Sequence, residues 1–339
     1  MIEIVALSEA MREVVGLAER VAPTHANVLI TGESGSGKDA VASFIHLRSN
    51  RAAQPLVKID CATLPADLLE AELFGYERGA FTGATEAKPG RMEAAHRGTL
   101  VLDEIAHLSL DAQAKLLRVI ETREFERLGG RKTIAVDARL IALTNADLKN
   151  AVERRAFRDD LFYRLNVVQI TVPSLRDRLK DIEPLSRSLV KTYAGKHGRA
   201  ARKLSRAAQD LLTAYDFPGN VRELANIIER AVIVCNTAEV EAADLPDSVR
   251  IAAAQHARKD RRPTLAEIES DYIRETLAAT RGNKTEAAKI LGISRKNLYE
   301  RLARERSEVG SQSSEIRKDV SPVNASDDQS DVSGIESDS

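Results

Sequence analysis

The stretch 28-VLITGESGSGKDAVASFIHLR-48 reads as three pieces: a β-branched run (28-VLIT-31), a glycine-rich turn (32-GESGSGKD-39) and a helical run (40-AVASFIHLR-48). Strand, glycine turn and helix in that order are the context a phosphate-binding loop requires. The glycines let backbone N–H groups face an anion, the helix N-terminus adds a favourable dipole, and Lys38 is placed to reach β and γ phosphates. Gly32, Glu33, Ser34, Gly35, Ser36, Gly37, Lys38 and Asp39 are therefore the candidate nucleotide-binding residues. Asp39 departs from the generic pattern, which has Ser or Thr there to hold magnesium.

The pattern continues outward from this unit. The runs 56-LVKID-60, 99-TLVLD-103, 139-RLIALTN-145 and 167-VVQITV-172 alternate with helical segments and look like strands buried on both faces. That alternation predicts an α/β fold, a parallel sheet with helices on both faces, over residues 1–172. Residues 173–250 turn wholly helical and are expected to form a smaller all-α subdomain. A charged segment within 251–263 reads as a linker. Residues 264–306 carry compact helical segments, and 307–339, rich in serine and acid, cannot offset its ordering entropy and is expected to be a disordered tail.

In 99-TLVLDEI-105 an apolar strand ends in Asp103 and Glu104. The first can position magnesium or its water, and the second can polarise an attacking water. The segment 156-AFRDDLFYRLNVV-168 adds Arg158 and Arg164, either solvated helix charges or arginines that stabilise transition-state charge from a neighbouring chain.

Composition sets limits. At 339 residues the chain holds roughly two or three domains. Its 43% apolar and 30% charged residues allow a real core, and a net charge of −1 means nucleic acid could be held only by a local basic patch. Cys61 and Cys235 are far apart, which argues against a disulfide framework or zinc site and fits a reducing cytoplasm. No apolar run reaches transmembrane length, and the N-terminus lacks the charge pattern of a signal peptide, so no membrane role is expected.

A loop and a helical pair complete the inventory. In 79-GAFTGA-84 an aromatic, Phe81, lies among small residues with no apolar partner at helical or strand spacing, so it reads as an exposed side chain on a flexible loop. The stretch 283-NKTEAAKILGISRKNLYERLAR-304 has helix-turn-helix character. Ala287, Ala288 and Leu291 face a core, Gly292 permits the turn, and Ser294 caps a second helix with Leu298 and Leu302 as its buried stripe. Lys284, Thr285, Ser294, Arg295, Lys296, Asn297, Tyr299 and Arg301 are the candidate DNA contacts, suited to a major groove. The preceding helical run, 264-TLAEIESDYIRETLAAT-280, sets Leu265, Ile268, Tyr272, Ile273 and Leu277 along one face.

Together these motifs resemble one family, the AAA+ activators of sigma-54 RNA polymerase (bacterial enhancer-binding proteins), over about residues 8–304. The most specific parts are 73-LFGYERGAFTGA-84, 125-FERLGG-130, 157-FRDDLFYRLNVV-168 and 217-FPGNVREL-224. The resemblance implies an AAA+ α/β ATPase module, a helical lid, a Fis-type helix-turn-helix domain, and ATP and Mg2+ as substrate and cofactor. It makes an acidic residue normal at position 39. It implies a magnesium and water-activating pair in Asp103 and Glu104, γ-phosphate sensing by Thr144 and Asn145, arginine fingers in Arg158 and Arg164, and a lid sensor in Arg222.

It implies that Gly79, Ala80, Phe81, Thr82, Gly83 and Ala84 contact sigma-54 RNA polymerase. The expected assembly is a homo-oligomeric ring, usually a hexamer, with dimers through the helix-turn-helix domain on double-stranded enhancer DNA. The module begins almost at Met1, so control is expected from a separate regulatory protein acting in trans, from expression or from oligomerisation. One position departs from the family: Asp60 stands where an asparagine often restrains the catalytic glutamate. An aspartate cannot donate to Glu104 unless protonated, and the two carboxylates repel. Rival readings are a DNA-binding regulator using the AAA+ fold as a non-hydrolysing scaffold, or another AAA+ machine such as a loader or unfoldase.

Overall fold

The computed structural model describes residues 4–201, 203–251, 265–280 and 282–302. The expected tail (307–339), and the linker apart from Ile251, lie outside the described residues. The chain divides into two compact units, Met1–Ala257 and Arg258–Ser339.

In chain order the first unit contains strands β1 (Val28–Thr31), β2 (Leu56–Asp60), β3 (Gly75–Tyr76), β4 (Lys88–Pro89), β5 (Thr99–Asp103), β6 (Glu124–Glu126), β7 (Thr133–Ala135), β8 (Arg139–Thr144) and β9 (Val168–Thr171). Its α/β part carries helices α1 (Glu9–Val21), α2 (Lys38–Leu47), α3 (Ala66–Phe74), α4 (Arg91–Ala94), α5 (Leu110–Thr122), α6 (Leu148–Glu153) and α7 (Asp159–Leu165). Five strands form one parallel sheet in the order β2-β5-β8-β1-β9. Side chains alternate along each strand, so β8 sends Leu140 and Ala142 into one core and Ile141 and Leu143 into the other. Helices α3, α5 and α7 cover the first face, and α1 and α2 the second.

The expectation that every strand is buried on both faces holds for the middle of the sheet only. β8 is buried throughout, but β2 and β9 are edge strands, with Leu56, Lys58, Gln169 and Thr171 exposed. Their β-branched composition reflects pairing on one side rather than full burial.

Local chemistry fixes the boundaries. Ser8 caps α1, whose Met11, Val14, Ala18 and Val21 recur at helical spacing and are buried. The buried Arg139 donates to the carbonyls of Ala22 (2.6 Å) and Val21 (2.9 Å), so a cation closes that helix's negative end.

The lid consists of α8 (Ile182–His197), α9 (Arg206–Thr213) and α10 (Asn220–Val234), with a short parallel pair, β10 (Lys203–Leu204) and β11 (Glu239–Val240). Its own core centres on Phe217, Leu224, Ile228 and Val232. Cys61 and Cys235 are both buried free thiols.

In the second unit, helices Leu265–Ala279, Lys284–Ile290 and one over 295–302 pack around Ile273, Ala287, Ala288 and Leu298, with Leu277, Leu291 and Leu302 beside them. Gly292 takes the left-handed conformation at the turn (φ 67°), and Ser294 Oγ accepts from the Asn297 N–H at 3.1 Å. Tyr272 does not join the buried face, being 55% exposed. The side chains of Leu265 and Ile268 lie outside the described residues.

Candidate functional site

The glycine loop runs from the end of β1 into α2, and its close approaches explain its sequence. A Cβ on Gly32 would come within 2.6 Å of the Val172 carbonyl, and one on Gly35 within 2.4 Å of the Gly219 carbonyl. Gly37 opens α2 in the left-handed conformation, and no side chain caps the helix, which leaves its N-terminus suited to an anion. Lys38, only 6% exposed, spans the loop: its Nζ donates to the Gly32 carbonyl at 2.9 Å and lies 3.7 Å from Glu104 Oε1. Ser36 Oγ is buried and finds no hydrogen-bond partner among the described residues. An uncapped helix start, a buried cation and an unpaired hydroxyl at one loop fit a bound phosphate chain.

Asp103 ends β5, and Glu104 follows in the left-handed region (φ 52°, ψ 51°), a conformation costing about 1–2 kcal/mol for a non-glycine residue. That turn lets Glu104 Oε2 accept from the Asn145 N–H at 3.2 Å. Thr144 is fully buried, and its hydroxyl accepts from the Ala146 N–H at 3.0 Å, shaping the loop that presents Asn145. The structure thus brings Lys38, Glu104 and Asn145 together.

Asp103 and Asp39 share a partner absent from the candidate residues, Lys58 of β2. Its ammonium lies 2.9 Å from Asp103 Oδ2 and is paired with Asp39 Oδ1. Burial pulls the lysine's pKa down, but its bonds to the two acids outweigh this and leave it above the ordinary lysine value. Two hard-oxygen donors converging on one cation fit magnesium, which commonly takes one or two carboxylates plus substrate phosphates. Among the described residues no three or more His, Cys, Asp or Glu side chains gather as an all-protein metal cage.

Asp60, at the end of β2 beside Asp103, turns its Oδ1 to the Ala62 N–H at 2.9 Å. Cys61 beneath is pushed up to about 12 by burial and then by the charges of Asp60, Asp103 and Glu104, so it stays a thiol.

The lid closes over the loop through Arg222, the expected lid sensor, and through three residues that the sequence reading assigned no role of their own, Asn220, Arg176 and Arg178. Asn220, fully buried and left-handed (φ 54°), donates its amide to Glu33 Oε2 (3.0 Å) and the Ser34 carbonyl (3.1 Å) and accepts from the Leu175 N–H (2.8 Å). Arg176 pairs with the same Glu33, and Arg222 Nη1 donates to Ser34 Oγ at 2.9 Å. The Arg176 hydrogen bond, then that of Asn220, holds the Glu33 carboxyl down at about 2. The buried Arg178 donates to the Ser36 carbonyl, joining the same loop to the lid's entrance. The signal for Asn220 was available: a Pro-Gly-Asn run opening a helix demands unusual backbone. A groove of about 940 Å³ along α8, lined by Pro184, Arg187, Lys191 and Gly195 among others, includes none of these residues.

The GAFTGA stretch is a tight loop between β3 and β4, tied by the Gly79 N–H to the Ala84 carbonyl (2.8 Å) and by the Ala84 N–H to the Phe81 carbonyl (3.0 Å). Phe81 is 41% exposed, as expected, and makes an edge contact with Tyr76 at 4.9 Å. One correction follows. Ala84 is buried, so it anchors the loop rather than presenting itself to a partner. The FERLGG segment braces the base: Glu77 N–H donates to the Leu128 carbonyl (3.0 Å), and Arg127 holds Glu93 (2.8 Å) and Glu77 (3.1 Å). A Cβ on Gly129 would meet Ala80 at 2.9 Å, so glycine there sets how closely the two segments nest.

Arg158 and Arg164 are not brought to this site. Arg158 makes a forked pair with Asp160 (3.0 and 2.7 Å), and Arg164 pairs with Glu121 at 3.1 Å.

In the second unit Lys284 and Arg295 flank the Tyr299 ring, their charged groups 4.7 and 5.9 Å from its centre. Lys284, Thr285, Ser294, Arg295, Lys296 and Asn297 are exposed. Arg301, its side chain 39% exposed, is paired with Glu269 of the unit's first helix.

Comparison with known proteins gives three consecutive family matches: Sigma-54 interaction domain over residues 4–171, AAA+ ATPase lid domain over 176–262, and Bacterial regulatory protein, Fis family, over 264–304. Regulatory protein AtoC of Escherichia coli K12 is 44% identical over 87% of this chain and 66% of its own length. Transcriptional regulatory protein FlbD of Caulobacter vibrioides is 44% identical over 89% and 70%, and ZraR of Klebsiella oxytoca 46% over 88% and 68%. The crystal structure of NtrX from Brucella abortus in complex with ATP is similar with a TM-score of 0.68 at 37% identity, over 89% of this chain and 69% of that one. The chain therefore spans about two thirds of the length of these relatives.

Proposed function

Because the chain belongs to the sigma-54 interaction domain family of transcriptional regulators, we propose that it hydrolyses ATP to remodel the closed complex of sigma-54 RNA polymerase from enhancer DNA. The carrying observation is the joining, in one unit, of the Lys38 loop, the Glu104–Asn145 contact and the braced Phe81 loop.

In this reading residues 1–172 form the ATPase subdomain, 173–250 the lid and 264–306 the DNA-binding domain. Lys38 and the loop from Gly32 to Asp39 hold the nucleotide, Arg222 and Thr144 complete its pocket, and Asp103 holds magnesium. Bound magnesium would neutralise charge on the β and γ phosphates. Glu104 accepts the proton of the attacking water, and Asn145, bonded to it, reports the γ-phosphate. Arg158 and Arg164 act on a neighbouring chain's nucleotide in a ring, usually a hexamer in this family, and a separate regulatory protein acting in trans controls that assembly. Gly79, Ala80, Phe81, Thr82 and Gly83 carry the resulting motion to sigma-54, with Ala84 as the loop's anchor. Lys284, Thr285, Ser294, Arg295, Lys296, Asn297, Tyr299 and Arg301 face double-stranded DNA, and the protein acts in the cytoplasm.

The test is open-complex formation by sigma-54 polymerase on a supercoiled promoter, with purified protein and ATP. Open complexes that require hydrolysable ATP are expected. Hydrolysis without opening would assign the chain to another machine, and absence of hydrolysis would reduce the AAA+ fold to a scaffold.

A further inference from the structure

Lys58 has no part in the roles assigned above, yet it stands between the two carboxylates that the nucleotide site offers a divalent cation. It projects from the edge strand β2, with Nζ 2.9 Å from Asp103 Oδ2 and in an ion pair with Asp39 Oδ1. The acids come from different elements, the first turn of α2 and the end of β5. Unbridged, two carboxylates this close to one point repel, and an intervening cation removes that cost. The ammonium offers three donors and one charge, whereas magnesium offers two charges and asks for near-octahedral oxygens. Both cations suit the gap between these oxygens, but they cannot occupy it together. The lysine is free to leave, since its side chain is 43% exposed on a flexible stem.

Building on the nucleotide reading, we propose that Lys58 is a tethered counter-ion that keeps Asp39 and Asp103 assembled and competes with magnesium for them. Its ammonium sets a threshold. Free magnesium must displace it with only two protein carboxylates as reward, whereas magnesium carried on a nucleotide brings phosphate ligands as well. Without nucleotide the two carboxylates therefore resist the bare ion and accept the metal–nucleotide complex, and Lys58 acts as a positioning residue.

The experiment titrates magnesium into the full chain with a non-hydrolysable ATP analogue, for wild type, Lys58→Met and Lys58→Arg. Thermal unfolding with EDTA or magnesium, without nucleotide, is a second readout. Lys58→Met is expected to lower the magnesium midpoint roughly three- to tenfold, the scale of two half-exposed ion pairs removed from competition. Magnesium alone should then raise the melting temperature of Lys58→Met but not of wild type, and Lys58→Arg should behave like wild type. An unchanged or higher midpoint in Lys58→Met would overturn the proposal. So would loss of analogue binding in EDTA by Lys58→Met alone, which would make the lysine a phosphate ligand. Wild type that binds no analogue at any magnesium concentration would overturn the nucleotide reading and this proposal with it.

Discussion

Glu104 sits in left-handed backbone at the end of a buried strand, and its carboxylate is held by one backbone N–H and a lysine 3.7 Å away. Strain of this kind persists where surrounding structure dictates it, and the rigid β5–β8 pair supplies that here. The neighbouring acid is Asp60, whose Oδ1 is committed to the Ala62 N–H. Asparagine would keep that turn with its own Oδ1 and gain an N–H₂ donor, which aspartate lacks. Asp60→Asn is therefore expected to lower basal ATP hydrolysis by restraining Glu104, and a steady-state rate equal to wild type would count against this coupling. Phe81 belongs to the same scale. Its edge contact with Tyr76 is worth about 0.5–1.5 kcal/mol, small against the stability of a braced loop. Phe81→Ala and Thr82→Ala should thus keep hydrolysis within about twofold while abolishing open-complex formation, because a uniform loss of binding to a partner leaves the chemical step untouched. Joint loss of both activities with normal circular dichroism would return Phe81 to a structural role.

Between elements, the lid is fastened to the glycine loop by a few polar side chains rather than by an apolar seam. Asn220 alone joins Leu175, Glu33 and Ser34, and its left-handed backbone excludes most replacements. Asn220→Ala should cost about 2–4 kcal/mol by orphaning a buried N–H and straining the backbone, read as a fall in urea midpoint. The Glu33 end of the latch is pH-dependent. Its folded pKa of about 2 lies below the 4.5 expected unfolded, so its contribution is complete above pH 4.5 and fades as pH falls towards 2. Glu33→Gln should be less stable than wild type at pH 7, with the gap closing below pH 4.5, and a constant gap across that range would remove the carboxylate from the latch. These links mark what the sequence could carry. The five parallel strands, the glycine loop and the Asp103–Glu104 pair were legible because each rests on local pattern, a strand followed by a turn of fixed chemistry. Lys58, Arg178 and the partners of Asn220 were not, because they depend on which distant segments the fold places together; only the unusual backbone at Asn220 was signalled, by its Pro-Gly-Asn run. Composition misled for β2 and β9, where β-branched residues serve edge pairing, and for Ala84, whose motif position suggested a surface contact that packing denies.

For the whole molecule the arginines raise the remaining question of completeness. Arg158 at the N-cap of α7 and Arg164 in its last turn both point to solvent, each held by an acid of its own chain rather than by anything at the Lys38 loop. Tyr163 between them is 72% exposed and Val167 just beyond is 59% exposed, so exposed charge and apolar side chains alternate along this segment. An exposed guanidinium pair is exchanged at little cost, since such ion pairs contribute only about 0–1 kcal/mol. A phosphate on a neighbouring chain would be a stronger partner for the same fork. If the site is completed that way, hydrolysis is a property of the interface and not of the single chain. Lys38→Ala removes the phosphate-binding end and Arg158→Ala the finger, and each alone should lower the rate by about 10³-fold or more. Mixed before assembly, the two variants should recover part of the lost hydrolysis, because some interfaces then join an intact Lys38 loop to an intact Arg158. No recovery, with mixed oligomers verified by cross-linking, would place Arg158 in the structure of its own subunit instead.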